Sequence, residues 1–110
     1  MRTDVKLLKR PRTLIVNLDD NHLPGSHWVG IFAKDDVIEI FDSFGEPPPP
    51  RLQQWASRNA KRWFYEPGLR VQDYLSVNCG YFALLFTIAR PHFKDFFTTV
   101  RYIERQRIDG

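Results

Sequence analysis

Cysteine is almost absent from this chain: Cys79 is the only one in 110 residues. That excludes an internal disulfide and any cysteine-based zinc site. No apolar run approaches the ~18 residues that a membrane span requires. The opening stretch, Met1-Arg-Thr-Asp-Val-Lys-Leu-Leu-Lys-Arg, lacks the apolar region of a secretory signal. The expected compartment is therefore intracellular and reducing, the cytoplasm or nucleus of a cell. His22, His27 and His92 show no metal-ligand spacing, so neither a metal nor another cofactor is expected. There is no glycine-rich phosphate loop, no aromatic-basic nucleic-acid motif and no internal repeat. The one low-complexity tract is Pro47–Pro50, which reads as a stiff extended connector.

What is present suits one small domain over residues 1–110. A chain of this size hides roughly 65% of its extended surface, enough for one core. Nine phenylalanines make that core Phe-rich. The net charge is only +3, but it is unevenly spread. Residues 1–12 carry five basic groups against one acid, and residues 13–50 carry seven acids against Lys34. Residues 51–70 and 90–107 are again basic. Such segments are either solvated helix faces or a surface for nucleic acid or an acidic partner.

Apolar periodicity places strands at 13–18, Trp28–Ala33 and Val37–Phe41, with Lys34-Asp35-Asp36 as a tight hairpin turn. Asp19–Ser26 reads as a loop. Leu52, Trp55, Ala56, Asn59, Ala60 and Trp63 recur at helical spacing, so Trp55 and Trp63 are both expected to pack from a helix. Arg62–Tyr65 and Leu69–Gln72 are candidate short strands around Pro67-Gly68. Cys79–Ala89 is apolar nearly all round, which predicts a helix buried at the domain centre and stopped by Pro91. Phe93, Phe96, Phe97, Val100 and Ile103 mark a last amphipathic helix. This order predicts an α+β fold: a small mixed or antiparallel sheet packed on a buried central helix, flanked by amphipathic helices.

Four residues together could carry chemistry: His27, Asp42, Gln72 and Cys79. A cysteine attacks as its thiolate, and a helix start favours that charge. His27 could take the thiol proton, and Asp42 could hold the imidazole in one orientation. The hairpin sets the start of one strand beside the end of the next, so His27 and Asp42 are expected as neighbours. The backbone N–H of Cys79 and the Gln72 amide could serve an oxyanion. Gly80 removes a side chain beside the nucleophile, and Trp28 is a candidate for the cleft wall or the core. Each residue also has a plainer reading. Cys79 would be a small buried hydrophobe, His27 a surface or structural residue, and Asp42-Ser43 a turn.

Several of these segments resemble a known family. Val16-Asn17, nine residues and then His27-Trp28 resembles the segment around the catalytic histidine of the adenovirus protease. Phe41-Asp42-Ser43-Phe44-Gly45 is similar to that family's Phe-Glu-Pro-Phe-Gly, with Asp in place of Glu. Val71-Gln72, six residues and then Cys79-Gly80-x-Phe82-x-x-x-Phe86 resembles its glutamine and nucleophile segment. The order His, Asp, Gln, Cys also marks the related SUMO and ubiquitin-like-protein proteases, which favour Asp as third member. The resemblance spans residues 13–89.

The resemblance implies a papain-like thiol protease with Cys79 as nucleophile, His27 as base and then acid, Asp42 as orienter and Gln72 in the oxyanion hole. It implies cleavage at Gly-containing sites of a viral or mobile-element polyprotein precursor, or of a ubiquitin-like tail. A host-cell or virion location would suit that role, and the chain is expected to act as a monomer. The chain is shorter than typical members at both ends, so it reads as a minimal or truncated catalytic domain. The activating peptide of the adenovirus enzyme is joined through a second cysteine, which this sequence lacks. Its basic helix faces permit DNA binding. The alternatives are a SUMO or ubiquitin-like deconjugating protease, a degraded relative that binds protein or DNA, and a plain structural α+β domain.

Overall fold

Alternating apolar residues and one two-residue turn organise the sheet. The computed structural model describes residues 11–18, 27–67 and 79–109. Strands β1 (Arg12–Asn17), β2 (Trp28–Lys34) and β3 (Val37–Phe41) pair antiparallel in sequence order. Lys34 pairs with Val37, so the β2–β3 turn is Asp35-Asp36 alone. Both aspartates have positive φ, 53° and 63°. That suits the two-residue primed hairpins, whose twist matches the strands. Asp tolerates this left-handed backbone better than most side chains.

Strand β4 (Arg62–Tyr65) joins β3 in parallel, which makes the sheet mixed, in the order β1-β2-β3-β4. Parallel neighbours need a crossover, and helix α1 (Pro50–Asn59) supplies it. Pro50 opens that helix, where its missing N–H costs nothing. Leu52, Trp55, Ala56 and Asn59 form the buried face. Ala60 is extended and ends the helix. Trp63 therefore does not pack from a helix, as its spacing had suggested. It stands in β4 opposite Ile38, and its indole N–H donates to Ser57 Oγ at 3.1 Å. Sheet pairing overrides a helical period at that position. The N–H groups of Lys61 and Arg62 both donate to the Asp36 carbonyl, tying the start of β4 to the hairpin turn.

Strand periodicity sorts the core into two layers. On one face Val29, Ile31, Ala33, Ile38 and Ile40 pack against Leu52, Trp55 and Ala56 of α1. On the other, Phe32 and Phe41 meet Phe82 and Phe86 of α2 (Cys79–Ala89) and Phe96, Val100 and Ile103 of α3 (Phe96–Asp109). Phe41 and Phe86 stack with ring centroids 4.9 Å apart. The described chain is thus α+β, with a four-stranded mixed sheet between α1 and the α2–α3 pair.

Two features depart from the sequence reading. Helix α2 is not buried all round. Phe82, Ala83, Phe86 and Ala89 face the sheet, but Tyr81, Leu84 and Ile88 are 59%, 48% and 58% exposed. A helix lying on one sheet face buries only the side that meets it, however apolar its remaining surface. The second feature is a buried ion pair. Glu39 sits in otherwise apolar β3, and Arg90 follows α2 in a short 3-10 turn. Arg90 Nε and Nη2 donate to the two carboxylate oxygens of Glu39 at 2.6 and 2.8 Å. Nη1 donates to the Phe93 carbonyl, and the guanidinium lies 4.2 Å from the Phe32 ring centre. The candidate strand Leu69–Gln72 and the loop Asp19–Ser26 lie outside the described residues.

Candidate active site

The site begins where the hairpin ladders run out. Asn17 pairs with Trp28, and one step further the Leu18 N–H donates to the His27 carbonyl at 2.7 Å. The β1–β2 ladder thus fixes the backbone of His27. Across β2 and β3, Gly30 pairs with Phe41. Continuing that register sets His27 opposite Phe44, with Asp42 just past the end of β3. The side chains follow this geometry. His27 Nε2 lies 2.7 Å from Asp42 Oδ2. The other carboxylate oxygen, Oδ1, accepts the Phe44 N–H at 2.8 Å. The Gly45 N–H donates to the Asp42 carbonyl, and Gly45 has φ 70°, which glycine adopts without strain. Asp42 is therefore a turn residue, as the plainer reading held, and also the partner of His27. Its carboxylate is held from two sides.

The Phe44 ring stacks on the imidazole, with centroids 5.3 Å apart and planes 24° off parallel. The Asp42 side chain is 2% exposed and that of His27 22%, so the imidazole bridges a buried anion and the solvent. A carboxylate only accepts, so Nε2 is the nitrogen that carries hydrogen toward it. In the neutral ring the basic lone pair is then on Nδ1. Protonation would make an imidazolium already beside its counter-charge.

Two glycines dock α2 against β2. A Cβ on Gly30 would lie 2.8 Å from Phe86 Cδ2 and 3.1 Å from the Ala83 carbonyl oxygen. A Cβ on Gly80 would lie 3.4 Å from Trp28 Cδ1. Trp28 therefore matches Gly80, and Gly30 matches the Ala83–Phe86 turn. Two strand residues advance about 6.6 Å and four helical residues about 6 Å, so helix and strand run side by side in one direction. Cys79, the first residue of α2, consequently stands at the end of β2 where His27 stands. The first turn of a helix presents unpaired N–H groups and the positive end of the dipole, both favourable to a thiolate.

Of the four expected site residues, His27 and Asp42 meet directly, and Cys79 opens α2 at the same end of β2. Gln72 lies outside the described residues, as does His22. Trp28 and Gly80, the expected cleft pair, lie side by side, so that a Cβ on Gly80 would touch the indole. His92 is exposed in the 3-10 turn after α2. Sequence reasoning missed Phe44, although the hairpin register alone sets it across from His27. It also missed Gly30, whose lack of a side chain matters only once α2 lies on it. Among the described residues, no group of three or more His, Cys, Asp or Glu is placed to hold a metal ion. No described helix is long and apolar enough to cross a membrane.

No protein-family model matches the chain. No curated protein matches it either. Among solved structures, the ASFV pS273R protease, determined in its selenomethionine form, superposes with a TM-score of 0.67 at 23% identity. The match covers 86% of this chain and 42% of that one, so the present chain spans less than half the length of that protein. The α+β core built around the His27 end of β2 is a fold that this chain shares with the ASFV pS273R protease.

Proposed function

We propose that the chain is a cysteine endopeptidase in which His27, Asp42, Gln72 and Cys79 work as one unit. The observation that carries this reading is the 2.7 Å bond between His27 Nε2 and Asp42 Oδ2. It stands at the strand end from which α2 starts with Cys79, in a fold shared with a known protease. In the first step His27 Nδ1 takes the thiol proton and the sulfur attacks the scissile carbonyl carbon. Charge builds on the carbonyl oxygen, where the Cys79 N–H and the Gln72 side-chain amide donate. Collapse of the tetrahedral adduct breaks the C–N bond, and the imidazolium gives its proton to the leaving amine. Water, deprotonated by His27, then cleaves the thioester and frees the thiol. Asp42 stays ionised throughout and stabilises the imidazolium.

The adenovirus-type motifs around His27, Asp42 and Cys79 support a substrate cut at glycine-containing sites of a viral or mobile-element precursor. The nearness of Trp28 to Gly80, where an added Cβ would meet the indole at 3.4 Å, supports a narrow approach beside the nucleophile and the same preference. A second reading, deconjugation of a SUMO or ubiquitin-like tail, is favoured by aspartate rather than glutamate at position 42.

A peptide vinyl sulfone tests the catalytic reading. The folded protein should be labelled at Cys79, and His27→Ala should abolish labelling. Folded protein that stays unmodified at Cys79 overturns it. Precursor peptides and ubiquitin-like fusions, compared as substrates, separate the two readings.

A further inference from the structure

On the sheet face away from α2, the core formed by the described residues is incompletely closed at its β1 edge. An open cavity of about 370 Å3 lies between β1 and α1, lined by Leu14 and Val16 of the strand, by Leu18 just past its end, and by Arg51, Leu52, Trp55 and Arg58 of the helix. Strand β1 is an edge of the described sheet, and its Leu14 and Ile15 are exposed. Arg51 and Arg58 are also exposed, and among the described residues no carboxylate pairs with either. Among the described residues, the groove thus joins a largely aliphatic floor to two guanidinium groups that no carboxylate neutralises.

We propose that this groove docks an extended acidic-apolar peptide segment of a partner protein. The spacing sets the pattern. Seven residues along a helix separate Arg51 from Arg58 by about 10.5 Å, and four residues of extended chain, an even step that returns to the same face, span about 13 Å, a difference that two long arginine side chains take up. Two carboxylates four positions apart share one face and would meet the two arginines, with an aliphatic side chain midway between them, on that same face, resting on Leu14, Val16 and Leu52. A volume of this order holds small ligands or a few side chains. Nucleic acid fits less well. Its bases need open ring faces and its phosphates a longer run of cations, whereas the groove floor is mostly aliphatic and Trp55, which also lines it, is only 7% exposed. The groove also has a direction. Its Leu18 end is one hydrogen bond from His27, through the Leu18 N–H and the His27 carbonyl. A segment seated here would lie beside the candidate active site without entering it. The docking inference rests on the groove alone and does not require catalysis.

The test is fluorescence anisotropy with a labelled peptide carrying two glutamates four positions apart and a leucine midway between them. Saturable binding is expected. Arg51→Glu with Arg58→Glu should weaken it about tenfold, the size expected when two exposed ion pairs become repulsive. The same double variant should gain binding to a peptide with lysines in place of the glutamates. Replacing the peptide leucine by serine should weaken binding at least about tenfold. Absence of saturable binding, indifference to the arginine reversals, or indifference to the leucine overturns the proposal. A single-stranded oligonucleotide that binds more tightly with the same arginine dependence overturns it in favour of nucleic acid. Self-association abolished by the arginine reversals overturns it in favour of a second copy. Binding without vinyl sulfone labelling counts against catalysis alone, and labelling without binding counts against docking alone.

Discussion

Gly30 and Phe86 are packed so closely that a single added methyl group would lie 2.8 Å from the Phe86 ring. The other near neighbour is the Ala83 carbonyl oxygen, a backbone atom that cannot rotate away. This contact, together with Trp28 on Gly80, seats the helix that begins with Cys79.

Gly30→Ala should therefore push α2 outward. Overpacking of this kind costs about 1–3 kcal/mol. The accompanying shift of Cys79 relative to His27 should lower turnover by about a hundredfold, as small misplacements of reacting groups do. Chemical denaturation and peptide hydrolysis, measured on the same preparation, check both parts. Lost stability with unchanged turnover would show that α2 does not position the nucleophile.

Asp42→Asn keeps the shape of the side chain but removes its charge. The amide can turn a donor toward His27 Nε2, which favours the wrong tautomer and leaves an imidazolium unsupported. Turnover should fall by on the order of 10²–10⁴. Folding should change little, because the Phe44 N–H can still find an oxygen at position 42. Steady-state kinetics and a melting curve separate these effects.

The Glu39–Arg90 pair should behave as a buried charge pair. Arg90→Met alone strands the Glu39 carboxylate inside the core and should cost about 3–5 kcal/mol. Adding Glu39→Met should recover much of that loss, since an apolar pair of similar volume avoids the desolvation penalty. Denaturant unfolding of the two single variants and the double variant completes the cycle. Single and double variants equally unstable would mean that the pair is not the source.

The start of α3 should be sensitive to acid. Asp95 Oδ1 accepts the Thr98 N–H at 2.8 Å, an N-cap arrangement. That backbone bond, followed by the Thr98 side chain, holds the Asp95 carboxyl below its ordinary value of 3.8. A group whose folded pKa is depressed stabilises the fold above its unfolded pKa and loses that contribution as pH falls through the folded one. Amide exchange at Thr98 should therefore accelerate as pH drops below about 3.8, after correction for intrinsic exchange. Asp95→Ala should show faster exchange already at neutral pH and no further loss in acid.

Much of this architecture was legible from local rules. Two positive-φ aspartates at 35 and 36 close a hairpin whose register carries His27 to Asp42 and Phe44. That inference needs only the turn and the strand period. Trp63 shows where such reading divides, because helical spacing ran on into Arg62–Tyr65, a segment also read as a short strand, and the strand is what forms once Ala60 has ended the helix. The pairing of Ile38 with Trp63 across a parallel crossover outweighed the local pattern. Helix α2 fails differently, since its composition reports apolarity on every side and cannot report which side finds a neighbour.

The sequence by itself determined the strands, the hairpin and hence the meeting of one imidazole with one carboxylate, because turn geometry and a period of two act over a few residues. Only the tertiary structure decided that the helix opened by Cys79 is laid along β2, that Arg90 reaches Glu39, and that the described residues leave a basic-rimmed groove open beside β1. Those outcomes depend on which surfaces approach closely enough to touch. Close approach is a property of the summed packing of distant segments, and no short stretch of chain carries it.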